Sequence, residues 1–307
     1  MTRIATAAQQ TVILGHLLDT QRRVSDAQIS ISSGVVAQRY AEIAPDVRRL
    51  LSLEGDQVRA DGYIKSNNVI AQRLAATESR INDIYKIAKD LRTELTGALN
   101  VSGADRGAIA IRAQGLLKEV AGSINAQVDG RYLFAGSRTD IAPVDLNDPG
   151  FTIPPAAYPS TANFSYYQGD QTVLAAQVDA STTLDYGIAG DDPAFEQLIR
   201  ALHLTGTGAS NGDFDYARGT EALKLVSQAI EGLTGLMAKA GTARASLDSA
   251  TQRHDEYLVY LNQSISEIEA TDVPRAMTLL SQDTVALQAS YSILARLANL
   301  NLSDYLR

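Results

Sequence analysis

The strongest constraint in this chain is a seven-residue spacing of apolar groups at both ends that is lost in the middle. Residues 4–33 carry Leu14, Leu17, Val24 and Ile31, the last three seven apart, before Gly34. A glycine just past an apolar helical pattern is a helix stop, because only glycine enters the left-handed region without a penalty. Pro45 and Asp46 then mark a new start. From Val47 to about Leu99 two rows run side by side: Leu74, Ile81, Ala88 and Leu95 form one, and Ile70, Thr77, Ile84, Leu91 and Ala98 the other. This spacing predicts a long amphipathic helix, or a pair of helices, with a coiled-coil-like seam. "NVSGAD" breaks it, and a further helix is expected from about Arg106 to Asp129. Helical spacing resumes near Tyr216 and runs, with a break at "AKAGTAR", to about Glu269.

The last helix opens with Asp272 as cap and Pro274 in its first turn, and is expected to run nearly to Tyr305. Val273, Leu280, Leu287 and Leu294 are seven apart; Ala276, Tyr291, Ala298 and Leu302 widen that face, and Leu279, Ala286, Ile293, Leu297 and Leu300 make a second stripe. Between Ala276 and Ser303 only Asp283 and Arg296 are charged, whereas residues 46–95 carry seventeen charges. Such a helix has little face for water, yet Gln282, Gln288, Asn299 and Asn301 bar it from lipid. Two readings remain open: an ordinary core helix of a bundle, or a helix buried on most sides by neighbours, some from other copies. On the second reading the interface residues are Leu14, Leu17, Val24 and Ile31, with Val273, Leu280, Leu287, Tyr291, Leu294 and Leu302.

The middle reads differently. Pro143, Pro149, Pro154, Pro155, Pro159 and Pro193 punctuate residues 140–220, and the runs "FTI", "FSYY", "TVLAAQV" and "TTLDYGI" read as short strands. "DDPAFEQLIRAL" starts a short helix with Asp192 as cap and Pro193 at its first position. This segment holds eleven acids against two bases, a net of −9, while the whole chain is −8. An acidic, turn-rich insert on near-neutral helical arms suggests a solvent-exposed module without which the arms can close. The expected architecture is mainly α: long N- and C-terminal helices paired in a coiled-coil-like rod with a small β-rich outer insert. Its parts are an inner domain of residues 1–40 plus 271–307, a helical rod of 41–139 plus 216–270, and an acidic outer domain of 140–215.

Several chemistries find no footing. The acidic balance, with no basic stripe carrying interleaved aromatics, speaks against nucleic acid. With no cysteine there are no disulfides, thiol nucleophiles or cysteine metal sites. No apolar run reaches membrane length, and the short run Val12–Leu14 after a single early Arg3 predicts no cleaved leader. His16, His203 and His254 have no metal spacing and are expected at the surface or in packing. "TGTGASNG" lacks the third glycine of a dinucleotide loop at its required spacing and reads as a turn; "DLNDPG" and "NGDFDYARG" fail as calcium loops. No catalytic constellation, metal or cofactor is expected.

One stretch stands at the border between helical arm and insert. "GRYLFAGSRTD", Gly130 to Asp140, sets Tyr132, Leu133 and Phe134 between two glycines, as a hydrophobic anchor where the chain leaves the helical region. Together with "ISSGVV" at the end of the first helix, "YQGD" at 167–170 and "EATDVPRAMTLLSQDTVALQASYSILARLANLNLSDYL" at the C-terminus, it resembles the flagellin family of bacterial flagella. "LQASY" and "LSDYL" are more similar to the branch that joins hook to filament. The resemblance covers both arms, about two thirds of the chain; the text after "SSG" departs from it.

The resemblance implies a structural subunit, not an enzyme, that passes unfolded through the flagellar type III export channel and works outside the cell. It implies polymerisation in a helical ring with copies of itself. The implied partners are the preceding hook-associated protein, flagellin, and an export chaperone at the C-terminal helix, with no nucleic acid and no membrane insertion. Two alternatives stay open: flagellin itself, the filament subunit, and a flagellin-like adhesive or carbohydrate-binding surface protein that stacks sugars on Tyr158, Tyr166, Tyr167 and Tyr186.

Overall fold

The computed structural model describes residues 2–37, 39–100, 106–152, 157–207 and 216–299. They form six helices and two small antiparallel strand pairs: α1 (Thr2–Ser33), α2 (Val47–Asn100), α3 (Arg106–Ile124), β1 (Gln127–Val128), β2 (Arg131–Tyr132), β3 (Ala175–Asp179), β4 (Thr182–Asp185), α4 (Pro193–Thr207), α5 (Tyr216–Glu269) and α6 (Val273–Asn299). A short 3₁₀ turn, Tyr40–Ile43, precedes α2. The fold is mainly α, as expected from the sequence. The chain divides into two compact units, Met1–Ala60 with Glu256–Arg307, and Asp61–Asp255.

In the first unit α1 packs against α6. On α1 the sheltered positions include Ile13, Leu17, Thr20, Val24, Ala27 and Ile31; on α6 they include Ala276, Leu280, Asp283, Leu287, Ser290 and Leu294. Both sets step alternately by four and three, the a/d spacing that keeps one seam facing a partner helix. Gly34, at φ 77°, ends α1 and donates its N–H to Ser30 O (2.9 Å). The connections are tied by Val36 N to Glu269 O (2.7 Å) and Thr271 N to Gly34 O (2.9 Å). Asp272 caps α6 through Arg275 N (3.1 Å).

In the second unit both α2 rows are buried, from Ile70 to Ala98. α5 matches them with Val226, Leu233, Ala240 and Leu247, again seven apart. α4 packs on α3, and Asp192 caps α4 through Ala194 N (2.9 Å). The α4 N-terminus lies so close to α5 that a Cβ on Gly232 would stand 2.7 Å from Ala194 Cβ.

Four expectations need correction. "AKAGTAR" does not break α5, because Ala240 and Ala243 are buried small residues that let a neighbour approach. α3 stops at Ile124, and residues 127–132 form a hairpin instead. Asp129 (φ 50°) and Gly130 (φ 73°) both take positive φ, the requirement of a type I′ turn, so "DG" is a hairpin signal here. Of the expected strands, "TVLAAQV" and "TTLDYGI" supply β3 and β4, but "FSYY" is a turn. In it Tyr166 is fully buried, with only an isolated bridge between Tyr167 and Val144, and Phe151 and Thr152 are irregular (Ile153 lies outside the described residues). Finally, the segment 140–207 has no core of its own. Val144, Tyr166, Val178, Ile188, Phe195, Leu198, Ile199 and Leu202 belong to the same core as α2, α3 and α5.

Candidate assembly site

Helix pairing accounts for the seven-residue rows at the ends. Leu17 is buried, and Val24, Ile31, Val273, Leu280, Leu287 and Leu294 are half-buried along the α1–α6 seam. Leu14 and Tyr291 lie outside it, 48% and 49% exposed; Leu302 falls outside the described residues. The surface left to water is also apolar. α1 exposes Val12, Leu14, Leu18 and Ile29, and α6 exposes Met277, Leu279, Val285, Tyr291 and Ile293. The second stripe read from the sequence, Leu279, Ala286 and Ile293, is therefore an outward one. A coiled coil of two helices satisfies one seam each and leaves such stripes for a further neighbour.

One fork of charge crosses the seam. Arg23 donates from Nε to Asp283 Oδ2 (3.1 Å) and from Nη2 to Asp283 Oδ1 (3.0 Å). The guanidinium holds the Asp283 carboxyl below its ordinary range, and the carboxylate raises Arg23. Asp283 is the one acidic residue of α6, and its bidentate geometry fixes one axial setting of α1 on α6.

In the second unit "GRYLFAGSRTD" and "YQGD" interlock. Leu133 and Phe134 are buried, Phe134 edge-on to Phe195 (5.5 Å, 79°), and Tyr132 is half-buried on β2. Phe134 O accepts from Gly190 N (2.8 Å), Ala135 O from Asp170 N (3.2 Å), and Tyr132 O from Arg73 Nη2 (2.8 Å). Tyr167 donates its hydroxyl to Asp170 O (2.7 Å), and Tyr166 to Gly190 O (3.1 Å). Burial and nearby carboxylates push both phenols well above their usual range.

Asp170 is the hub of this knot. Its carboxylate accepts from the Ser137 hydroxyl, from Ser137 N (2.8 Å) and from Thr172 N (3.0 Å). Those hydrogen bonds, the Ser137 hydroxyl first, lower its pKa to about 2. Gly136, at φ 64°, passes so near that a Cβ would lie 2.3 Å from both Asp170 O and Asp170 Oδ1. The burial of Leu133 and Phe134 was legible; Asp170 and Gly190 as their neighbours were not, although "YQGD" marked the place.

Other polar side chains of the second unit hold backbone and side-chain partners in place. Glu196 accepts from Asn163 N (3.0 Å) and pairs with Arg200 (3.1 Å), and burial raises its pKa above the usual carboxylate range. Ser160 N and Oγ both donate to Glu221 Oε1. Asp145 and Asp148 accept from Asn147 N and Gly150 N. His203 lies half-buried beside Phe151, and burial lowers its pKa. Of the tyrosines proposed as sugar platforms, Tyr166 and Tyr167 are committed to the knot, and Tyr158 accepts from Arg218 Nε (3.2 Å). No helix among the described residues is long and apolar enough to cross a membrane.

The bacterial flagellin N-terminal helical region matches residues 4–139, and the bacterial flagellin C-terminal helical region matches residues 223–306. The chain belongs to the flagellin family. Among family members, flagellar hook-associated protein 3 of Escherichia coli is 22% identical over 94% of this chain and 90% of its own length. A flagellin of Brucella melitensis is 24% identical over 95% and 93%. Two solved structures share the fold: FlgL of Bacillus cereus (TM-score 0.56, 17% identity, 71% of this chain, 99% of that one) and a protein of Vibrio parahaemolyticus titled a flagellar hook-associated protein (TM-score 0.59, 17% identity, 75% and 100%). The matched stretches place α1, α2, α3, Leu133 and Phe134 in the N-terminal family region and α6 in the C-terminal one.

Proposed function

We propose that this flagellin-family chain is the structural subunit that joins the flagellar hook to the filament. The observation that carries it is the match over 94% of the chain to a relative named flagellar hook-associated protein 3. The apolar stripes left open on α1 and α6 support polymerisation as its mode of action, with Leu14, Tyr291 and Leu279 facing other copies and the seam residues holding each pair together. In this reading residues 1–40 and 271–307 are the polymerising part, 41–139 and 216–270 the rod, and 140–215 the outward part, rooted in the rod's core. Leu133 and Phe134 then anchor the exit from rod to outer part. The partners are further copies, the preceding hook-associated protein and flagellin. An export chaperone covers the C-terminal helix before assembly, and the chain works outside the cell after export.

The match to a flagellin over 95% of the chain favours a second reading, the filament subunit itself. Position in the organelle separates them. Gold-labelled antibody against residues 140–215 should mark one band at the hook–filament boundary of purified flagella, and a knockout should leave bare hooks with flagellin shed into the medium. Label along the whole filament would give the flagellin reading instead.

A further inference from the structure

Two buried polar residues interrupt the apolar rows of α2 and α5, and both reach the same backbone oxygen. Asn67 is 0% exposed and occupies the row that continues as Leu74, Ile81, Ala88 and Leu95. His254 is 8% exposed and occupies the row Val226, Leu233, Ala240 and Leu247. Asn67 donates from Nδ2 to Val178 O (3.3 Å), and His254 Nε2 lies 3.0 Å from that oxygen. A carbonyl only accepts, so Nε2 carries the proton. The His254 ring stacks on Tyr63 of α2 (5.1 Å, 11°).

Val178 is available for a reason. The β3–β4 ladder pairs Gln177 with Thr183 and Asp179 with Thr182, so Val178 is the extra residue of a bulge and has no cross-strand partner. Its carbonyl is thereby turned to the helices, while its side chain is buried in the shared core.

We propose that Asn67, His254 and the bulged Val178 carbonyl form a clasp that sets the axial register of α2 against α5. Rows of Leu, Ile and Ala repeat every seven residues and so tolerate a seven-residue slip. A single acceptor shared by two side chains does not repeat, and any slip of one helix past the other leaves at least one of the two donors buried without it. Apolar residues at both positions would bury at less desolvation cost than an amide and an imidazole. On this ground the pair serves alignment rather than stability. The hairpin serves as the key: it docks only when Asn67 and His254 stand opposite one another.

Thiol cross-linking tests this in the full chain, which has no cysteine of its own. Arg244 Nη1 lies 3.2 Å from Glu78 Oε2, so cysteines at 78 and 244 report the native register. Cysteines at 78 with 237, or 78 with 251, report slips of seven residues in either direction. With a short bis-alkylating reagent, the native background should link 78 to 244 alone. Asn67→Leu with His254→Leu should add a 78–237 or 78–251 product while the melting temperature stays within about 3 °C. His254→Gln, which keeps a donor, should restore the native product alone. A double-leucine chain that links only 78 to 244 overturns the proposal. So does one that loses its helical circular dichroism, since the clasp would then be a source of stability.

Discussion

The terminal helix pair and the knot around Asp170 solve the same problem, holding distant chain segments together, in opposite ways. The pair uses repetition. Leu17, Val24 and Ile31 meet a row of equivalents on α6, each contact modest, with one charge fork, Arg23 to Asp283, to choose the setting. The knot uses no repeat at all. Its contacts are particular atoms: Gly190 N on Phe134 O, Asp170 N on Ala135 O, three donors on one carboxylate. A repeating seam can be extended by another helix, and its outer stripes remain apolar. A closed knot has no open valence. Under the proposed function assembly belongs to the first region and rigidity to the second, and the two should fail differently.

The largest contrast comes from deleting residues 141–215. The acidic, turn-bounded sequence invites the idea that this part is dispensable. The structure predicts the reverse, because the deletion removes Tyr166, Phe195, Leu198, Ile199 and Leu202 from the one core of the second unit. Burial of each such side chain is worth about 1.5–3 kcal/mol, and total domain stability is typically only about 5–15 kcal/mol. Calorimetry should show no cooperative melting of residues 61–255 in the deletion. A native-like transition would mean that the helices close without it.

Next comes Gly136→Val. The residue combines a positive φ with a Cβ position 2.3 Å from two Asp170 oxygens, one of them backbone. Strain and clash together should cost about 3 kcal/mol or more, roughly 6–12 °C in melting temperature for a unit of this size. Hydrogen exchange in α1 and α6 should not change. A shift under about 2 °C would show that the knot yields easily.

Leu287→Asp probes the other region. The side chain is half-buried in the seam, so a carboxylate there should cost about 1–3 kcal/mol locally and loosen α6. The main melting transition, which reports the second unit, should stay in place. Under the proposed function the variant should be secreted yet leave hooks without filaments. Normal filaments on such cells would remove α6 from the assembly interface.

How much of this was legible in the sequence follows from the same contrast. Periodicity and caps are short-range signals, so α1, α2, α6 and the caps Asp192 and Asp272 can be read directly. Gly34 as the stop of α1 can be read too. The knot cannot, because Gly136 meets Asp170 across a stretch of turns with no period to announce the pairing. "FSYY" has the composition of a strand, but the buried hydroxyl of Tyr166 on Gly190 O overrides local preference. The small residues of "AKAGTAR" look like a break until a packed neighbour explains them. The Asn67–His254 convergence was hidden likewise: each residue is an ordinary polar interruption until the hairpin supplies their common acceptor.

The smallest predicted effects use acid and salt together. Asp170 and Asp283 both have folded pKa values below the ordinary carboxylate value, Asp170 at about 2 through its hydrogen bonds to Ser137 and Thr172, Asp283 through Arg23. A carboxyl depressed by folding contributes stability that is full above its unfolded pKa and is lost as pH falls through its folded one. Both regions should therefore loosen below about pH 4, the knot reaching its limit near pH 2. Glu196 works in the other direction, since burial raises its pKa and protonation does not oppose the fold. Salt separates the two regions. Arg23 and Asp283 attract as opposite charges at an exposed seam and are screened within a Debye length of about 10 Å at 0.1 M. Asp170 is held by neutral N–H and O–H donors, for which screening is weak. At neutral pH, raising salt should speed amide exchange along α1 and α6 near Arg23 and Asp283 and leave Ser137 N and Thr172 N unchanged. Lowering pH toward 2 should reduce protection, the exchange rate taken relative to the intrinsic rate at that pH, at all of these sites. Faster exchange at Ser137 and Thr172 in salt alone would mean that the knot is held by net charge and not by its three directed hydrogen bonds.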